Sequence, residues 1–221
     1  MAALGINMTQ AQQRNFILGG AIGALVAFIS LIAMALLPRP FSPMDHESIL
    51  TGLNTLSTEQ LSAYKTYIMR NLTWDSFYLI GHALMWFGYS AVISRSSKGL
   101  AIFVAILGFS SAWLDFTENE MRWAALQLLI NNGYISISNI ADWSVIFGLS
   151  FWIIFICGLV CGMAVAGKEN IKKIVCIIAI LGGVIAPFSY LYGHLAAFLW
   201  LIVWHGVSAI FLWVSRESQN A

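Results

Sequence analysis

The chain has 221 residues, 59% of them hydrophobic and 10% charged, whereas soluble domains run to about 45–50% apolar and about 25% charged. A single water-soluble domain is thereby excluded, and a mean hydropathy of +0.79 with 14% aromatic residues also excludes a disordered chain. A formal charge of +1 gives no reason to expect a nucleic-acid partner. The expected fold is all-α: a polytopic transmembrane helix bundle forming one integral membrane domain over residues 1–221, with the lipid bilayer as its solvent.

A span needs about 20 apolar residues at about 1.5 Å each to cross about 30 Å of hydrocarbon. Six segments qualify: 16–37, 74–93, 100–116, 143–166, 174–189 and 195–214. In the first, Arg14 and Ala33-Met34-Ala35 fit a signal peptide with a cleavage site, but the apolar run exceeds the usual 7–15 residues or so. The reading as a span is preferred, and cleavage stays open.

The outer loop 38–73 opens with Pro38, Pro40 and Pro43, which stop the helix. Ser57 and Gln60 then have capping-box spacing. Leu61, Tyr64, Ile68 and Leu72 recur at helical period, with Glu59, Ser62, Lys65 and Arg70 on the opposite face. This predicts an amphipathic helix on or just above the outer surface.

Helical character in the third segment continues from Leu100 to Ile130, roughly 45 Å. Either this extended helix projects past Asp115, or it bends there and Met121 to Ile130 follows the interface. Asn131-Asn132-Gly133 predicts a turn, and Asp142 a cap for the fourth span. The fifth span is the shortest and carries Pro187 near its end.

With the N-terminus inside, the inner side holds Arg14, Arg95, Lys98, Lys168, Lys172, Lys173 and Arg216, and the outer side Arg39, Lys65, Arg70 and Arg122. The bias predicts N-in and C-in, in a bacterial cytoplasmic (inner) membrane.

Two features stand out chemically. Asp115, Glu118, Asn119 and Arg122 follow i, i+3, i+4, i+7 and so share one helix face. Ionisable groups at membrane depth are costly and normally face protein or water with partners. Histidine is the second. His82 is expected about 10 Å below the outer boundary, close to the level of Asp115. His194 opens the sixth span, and His205, eleven residues on, is expected about 16 Å deeper, near the midplane.

His82, Asp115, Glu118 and His194 are thus expected to form a polar pocket in the outer leaflet. Imidazoles and carboxylates could ligate a divalent metal, act as acids and bases, or form a proton-relay network. The plainer alternative is a helix leaving the membrane with Arg122 neutralising Glu118, and histidines hydrogen-bonded to neighbouring helices. No pair has metal-ligand spacing on one helix. A single haem could be held by His82 with His194, or less well by His205; since His46 falls in the loop, two haems are not expected.

Cys157, Cys161 and Cys176 are expected to be reduced packing residues. Gly19-x-x-x-Gly23 and Gly158-x-x-x-Gly162 allow close helix approach, within the bundle, in an oligomer or with a partner subunit. No Walker loop, nucleophile elbow or Rossmann glycine pattern occurs. Three functions remain open: a pocket that binds a metal, lipid or small ligand, with an acid–base inventory that hydrolysis could use; a transporter or channel with His205 on its path; and a non-catalytic accessory subunit.

Overall fold

The computed structural model describes residues 9–38, 57–132, 137–192 and 195–218. They form six helices: α1 Gln10–Leu36, α2 Thr58–Ile93, α3 Lys98–Asn132, α4 Ile137–Ala164, α5 Asn170–Tyr192 and α6 Leu195–Glu217. No strand occurs among the described residues. Each helix packs on the next in sequence and α1 closes against α6, so the six make a ring, with α2 also reaching α6 across it.

Four helices, α1, α2, α3 and α6, are long and apolar enough to cross a membrane. Their outer faces support that reading. Phe16, Ile22, Leu25 and Ile29 of α1 are each about half exposed, and so are Ile106 and Phe109 of α3 and Ile210 and Trp213 of α6. Apolar surface of that extent is stable only against something equally apolar.

Helix α1 begins earlier than its apolar run. Thr9 caps it, its Oγ1 accepting from Gln12 N–H at 3.2 Å while Gln12 Oε1 accepts from Thr9 N–H at 2.9 Å. It ends just before Pro38, whose ring disfavours helix in the preceding residue.

The predicted capping box at Ser57 and Gln60 is present, but the helix it starts does not lie apart on the surface. It continues unbroken into the second apolar segment, giving 36 residues or about 54 Å. No proline or glycine interrupts the junction, and the predicted apolar face is partly covered: Ile68 is buried, and α2 packs along α3. Helix α3 is likewise continuous, 35 residues long. The two overlong helices therefore extend side by side beyond the apolar zone. Asp142 lies inside α4, which starts at Ile137, and so does not cap it. Gly133 and the loop from 39 to 56 fall outside the described residues, while α5 runs through Pro187 to Tyr192.

Small residues set the closest approach. A Cβ on Gly20 would lie 2.5 Å from Gly88 Cα, and one on Gly23 would lie 2.6 Å from Gly81 O. The stripe that packs α1 on α2 is thus Gly20, Gly23, Ala24 and Ala27, whereas Gly19 has nothing within 4 Å. Gly158 packs against Trp200 and Gly162 against Ala179, both within the bundle.

The interior is filled by rings. Phe155 meets Trp200 at 4.6 Å between centroids, Trp200 stacks on Trp204 at 5.5 Å, Trp204 on Tyr89 at 5.7 Å, and Tyr89 on Phe211 at 5.5 Å. Cys157, Cys161 and Cys176 are free thiols, the first two buried in α4.

Candidate functional site

Asp75, Tyr78, His82, Trp86 and Tyr89 recur along α2 at intervals of three and four residues, which puts them on one face. All five are buried. That face looks toward α3 and α6, and the hydrogen bonds made there fix how the two buried histidines carry their protons.

His205 Nδ1 is 2.8 Å from the carbonyl of Leu201, which can only accept, so Nδ1 bears the proton. Neutral His205 then offers Nε2 as an acceptor. His82 Nδ1 lies 3.0 Å from that Nε2 and must donate to it. His82 Nε2 is in turn left as an acceptor, and the Trp86 indole N–H donates to it at 2.8 Å. Donors therefore run in one direction, from Trp86 through His82 and His205 to Leu201, with every ring nitrogen engaged. The Ser111 hydroxyl of α3 has one proton to share between His82 Nε2 and Gly108 O, 3.0 and 2.8 Å away.

A second cluster lies farther along α2 and α3, toward their overlong ends. Arg122 pairs with Glu118 at 2.8 Å and donates to Asn71 Oδ1 of α2 at 3.1 Å. Asn119 hydrogen-bonds the Asp75 carboxyl across the same interface. Asp115 is within electrostatic reach of Asp75, Glu118 and Arg122, so three carboxyls gather around one guanidinium. Asp115 Oδ2 and Asn119 Oδ1 are buried acceptors with no hydrogen-bond partner among the described residues.

Tyr78 joins the clusters. Its hydroxyl is 3.4 Å from His82 Nδ1, its ring lies edge-on to His205 at 5.4 Å, and Asp115 and Asp75 both act on it electrostatically. Beyond His205, the next polar contact is Tyr89 Oη to Ser208 Oγ at 2.9 Å, closed in by Trp204 and Phe211.

No protein-family model matches the chain, and neither a curated protein nor a solved structure is significantly similar to it. The site must be interpreted from its own chemistry.

Of the expected pocket, Asp115 and Glu118 share a cluster, His82 meets Ser111, one helical turn from Asp115 along α3, and His194 lies outside the described residues. The expected separation in depth of His82 and His205 gives way to direct contact. A 3.0 Å contact between these two rings leaves no room for a haem between them. Among the described residues, no three His, Cys, Asp or Glu side chains are arranged to hold one metal ion. The imidazole lone pairs a metal would need already accept hydrogen bonds from Trp86 and His82.

Asp75, Tyr78 and Trp86 are the site residues that sequence reasoning missed. The signal was available: polar and aromatic residues at helical spacing through His82 mark an inward-facing stripe.

Proposed function

We propose that this is a six-span membrane protein, N-in and C-in, whose α2–α3–α6 interior relays protons from the outer end of the bundle to a histidine pair deep in the membrane, as a proton-coupled transporter requires. The observation that carries this reading is the His82–His205 contact, with the Tyr78 hydroxyl 3.4 Å from His82 and the carboxyls of Asp75 and Asp115 in the electrostatic surroundings of Tyr78.

Each member of that chain can both give and take a proton. A proton entering the pair makes one imidazole cationic rather than reversing the donors, because Leu201 O can only accept and the Trp86 indole can only donate. Protonation of Asp115 turns Oδ2 from an unpartnered acceptor into a donor, so the carboxyl cluster is suited to loading the relay. Among the described residues the hydrogen-bonded path stops at Leu201 O and the aromatic stack around Tyr89, which suits a carrier better than an open pore.

A hydrolytic or metal-ligating role for His82, Asp115, Glu118 and His194 has less support, because the described imidazole nitrogens are already committed. An accessory subunit would use the same network as a fixed structural core.

The deciding experiment is proton flux into proteoliposomes loaded with a pH-sensitive dye under an imposed gradient. His82→Ala and His205→Ala are each expected to reduce flux at least about tenfold at equal incorporation, a loss typical of removing a group that carries protons. Equal flux in wild type, both variants and empty vesicles would eliminate the relay and leave the accessory role.

A further inference from the structure

A groove of about 770 Å³ lies between α1, α2 and α3 at the end of the bundle holding the turn from 94 to 97, away from the histidines. That size falls within the roughly 300–1,000 Å³ typical of small-ligand sites. Its walls are apolar, formed by Phe16, Phe87, Ile102, Ile106 and Phe109, and these side chains are between 38% and 58% exposed, so the groove opens sideways from the bundle.

Polarity is confined mainly to one end. Gln12, Ser94 and Lys98 line that end, and among the described residues no carboxylate lines the groove. Arg95 adjoins it in the turn. Gln13 of α1 donates to Ala91 O at 2.7 Å and Ser94 Oγ at 3.2 Å, which brings neighbouring Arg14 to the same end. From Lys98 to Phe109 along α3 is about 16 Å, close to half of a roughly 30 Å hydrocarbon core. The groove is therefore one leaflet deep, with cations at its headgroup end.

We infer that this groove binds an anionic phospholipid of the leaflet at the Lys98 end, its phosphate against Lys98 and an acyl chain along Phe87, Ile102 and Phe109. Apolar walls alone would accept any chain. The selectivity comes from the charge: a zwitterionic headgroup brings its own ammonium among Arg14, Arg95 and Lys98, whereas an anionic headgroup does not. This inference shares the membrane placement with the proposed function but does not depend on the relay.

The test is native mass spectrometry of the full chain in detergent, titrated with phosphatidylglycerol and with phosphatidylcholine of identical chains. Wild type is expected to retain phosphatidylglycerol at about five- to tenfold lower concentration. Lys98→Gln should at least halve the preference for phosphatidylglycerol, and Ala105→Phe, which fills the groove, should reduce retention of both lipids. Ile106→Trp, on the open side, serves the same purpose if Ala105→Phe does not fold. Equal retention by wild type, a preference undiminished in Lys98→Gln, or retention unchanged by the filling variants would each overturn the proposal.

Discussion

Trp86 and His82 are one helical turn apart on α2, and the indole N–H is the donor that commits His82 Nε2. A buried acceptor deprived of its donor costs about 1–3 kcal/mol, while loss of both partners together costs less; the Ser111 hydroxyl, 3.0 Å from the same nitrogen, can turn to replace the indole, which holds the cost to the lower end of that range. Trp86→Phe is therefore expected to lower unfolding stability in detergent by that amount, and Trp86→Phe with His82→Phe by less than the sum of the singles; strict additivity would show that the contact contributes nothing. The polar residues of this site were legible one by one. Asp115, Glu118 and His82 stand out because hydrocarbon expels them. Their pairing was not legible, since the period of α2 gives a face but not the depth at which Ser111 and His205 meet it.

At the scale of elements, hydrophobic runs revealed the helices but placed several ends poorly. Helix α1 starts at Gln10 because Thr9 caps it, and α2 starts at Thr58 because nothing between its amphipathic and apolar parts breaks it. The small-residue motif in α1 pointed by its four-residue spacing to Gly19 with Gly23, whereas the contact on α2 is made by Gly20 with Gly23. The structure separates them. Gly20→Ala puts a methyl 2.5 Å from Gly88 Cα, where backbone cannot yield without parting α1 from α2, and should cost about 1–3 kcal/mol. Gly19→Ala meets nothing within 4 Å and should leave stability unchanged or slightly raised, since alanine is the better helix former. Thermal midpoints of the two variants in one detergent would distinguish them, and equal losses would contradict the packing described.

For the whole molecule, composition excluded water as the solvent of the outer surface, and the half-exposed apolar faces agree with that exclusion. Orientation rests on basic residues and is open to direct measurement. Glu59 and Ser97 are exposed and lie at opposite ends of α2. With N-in topology, Glu59→Cys should react with a membrane-impermeant maleimide on intact cells and Ser97→Cys only after permeabilisation; the reverse pattern would invert the bundle. Cys157 and Cys161 are buried and should give little background.

The unbroken course of α2 carries a mechanical implication. Residues 58–80 contain neither glycine nor proline and Gly81 is packed against Gly23 and Ala27 of α1, so the stretch from Thr58 to His82 is one continuous rod about 36 Å long. Clasped to α3 by Arg122 and Asn71, it has no hinge in which to dissipate a push. A tilt imposed on the exposed tip is delivered as leverage on the buried imidazole contact.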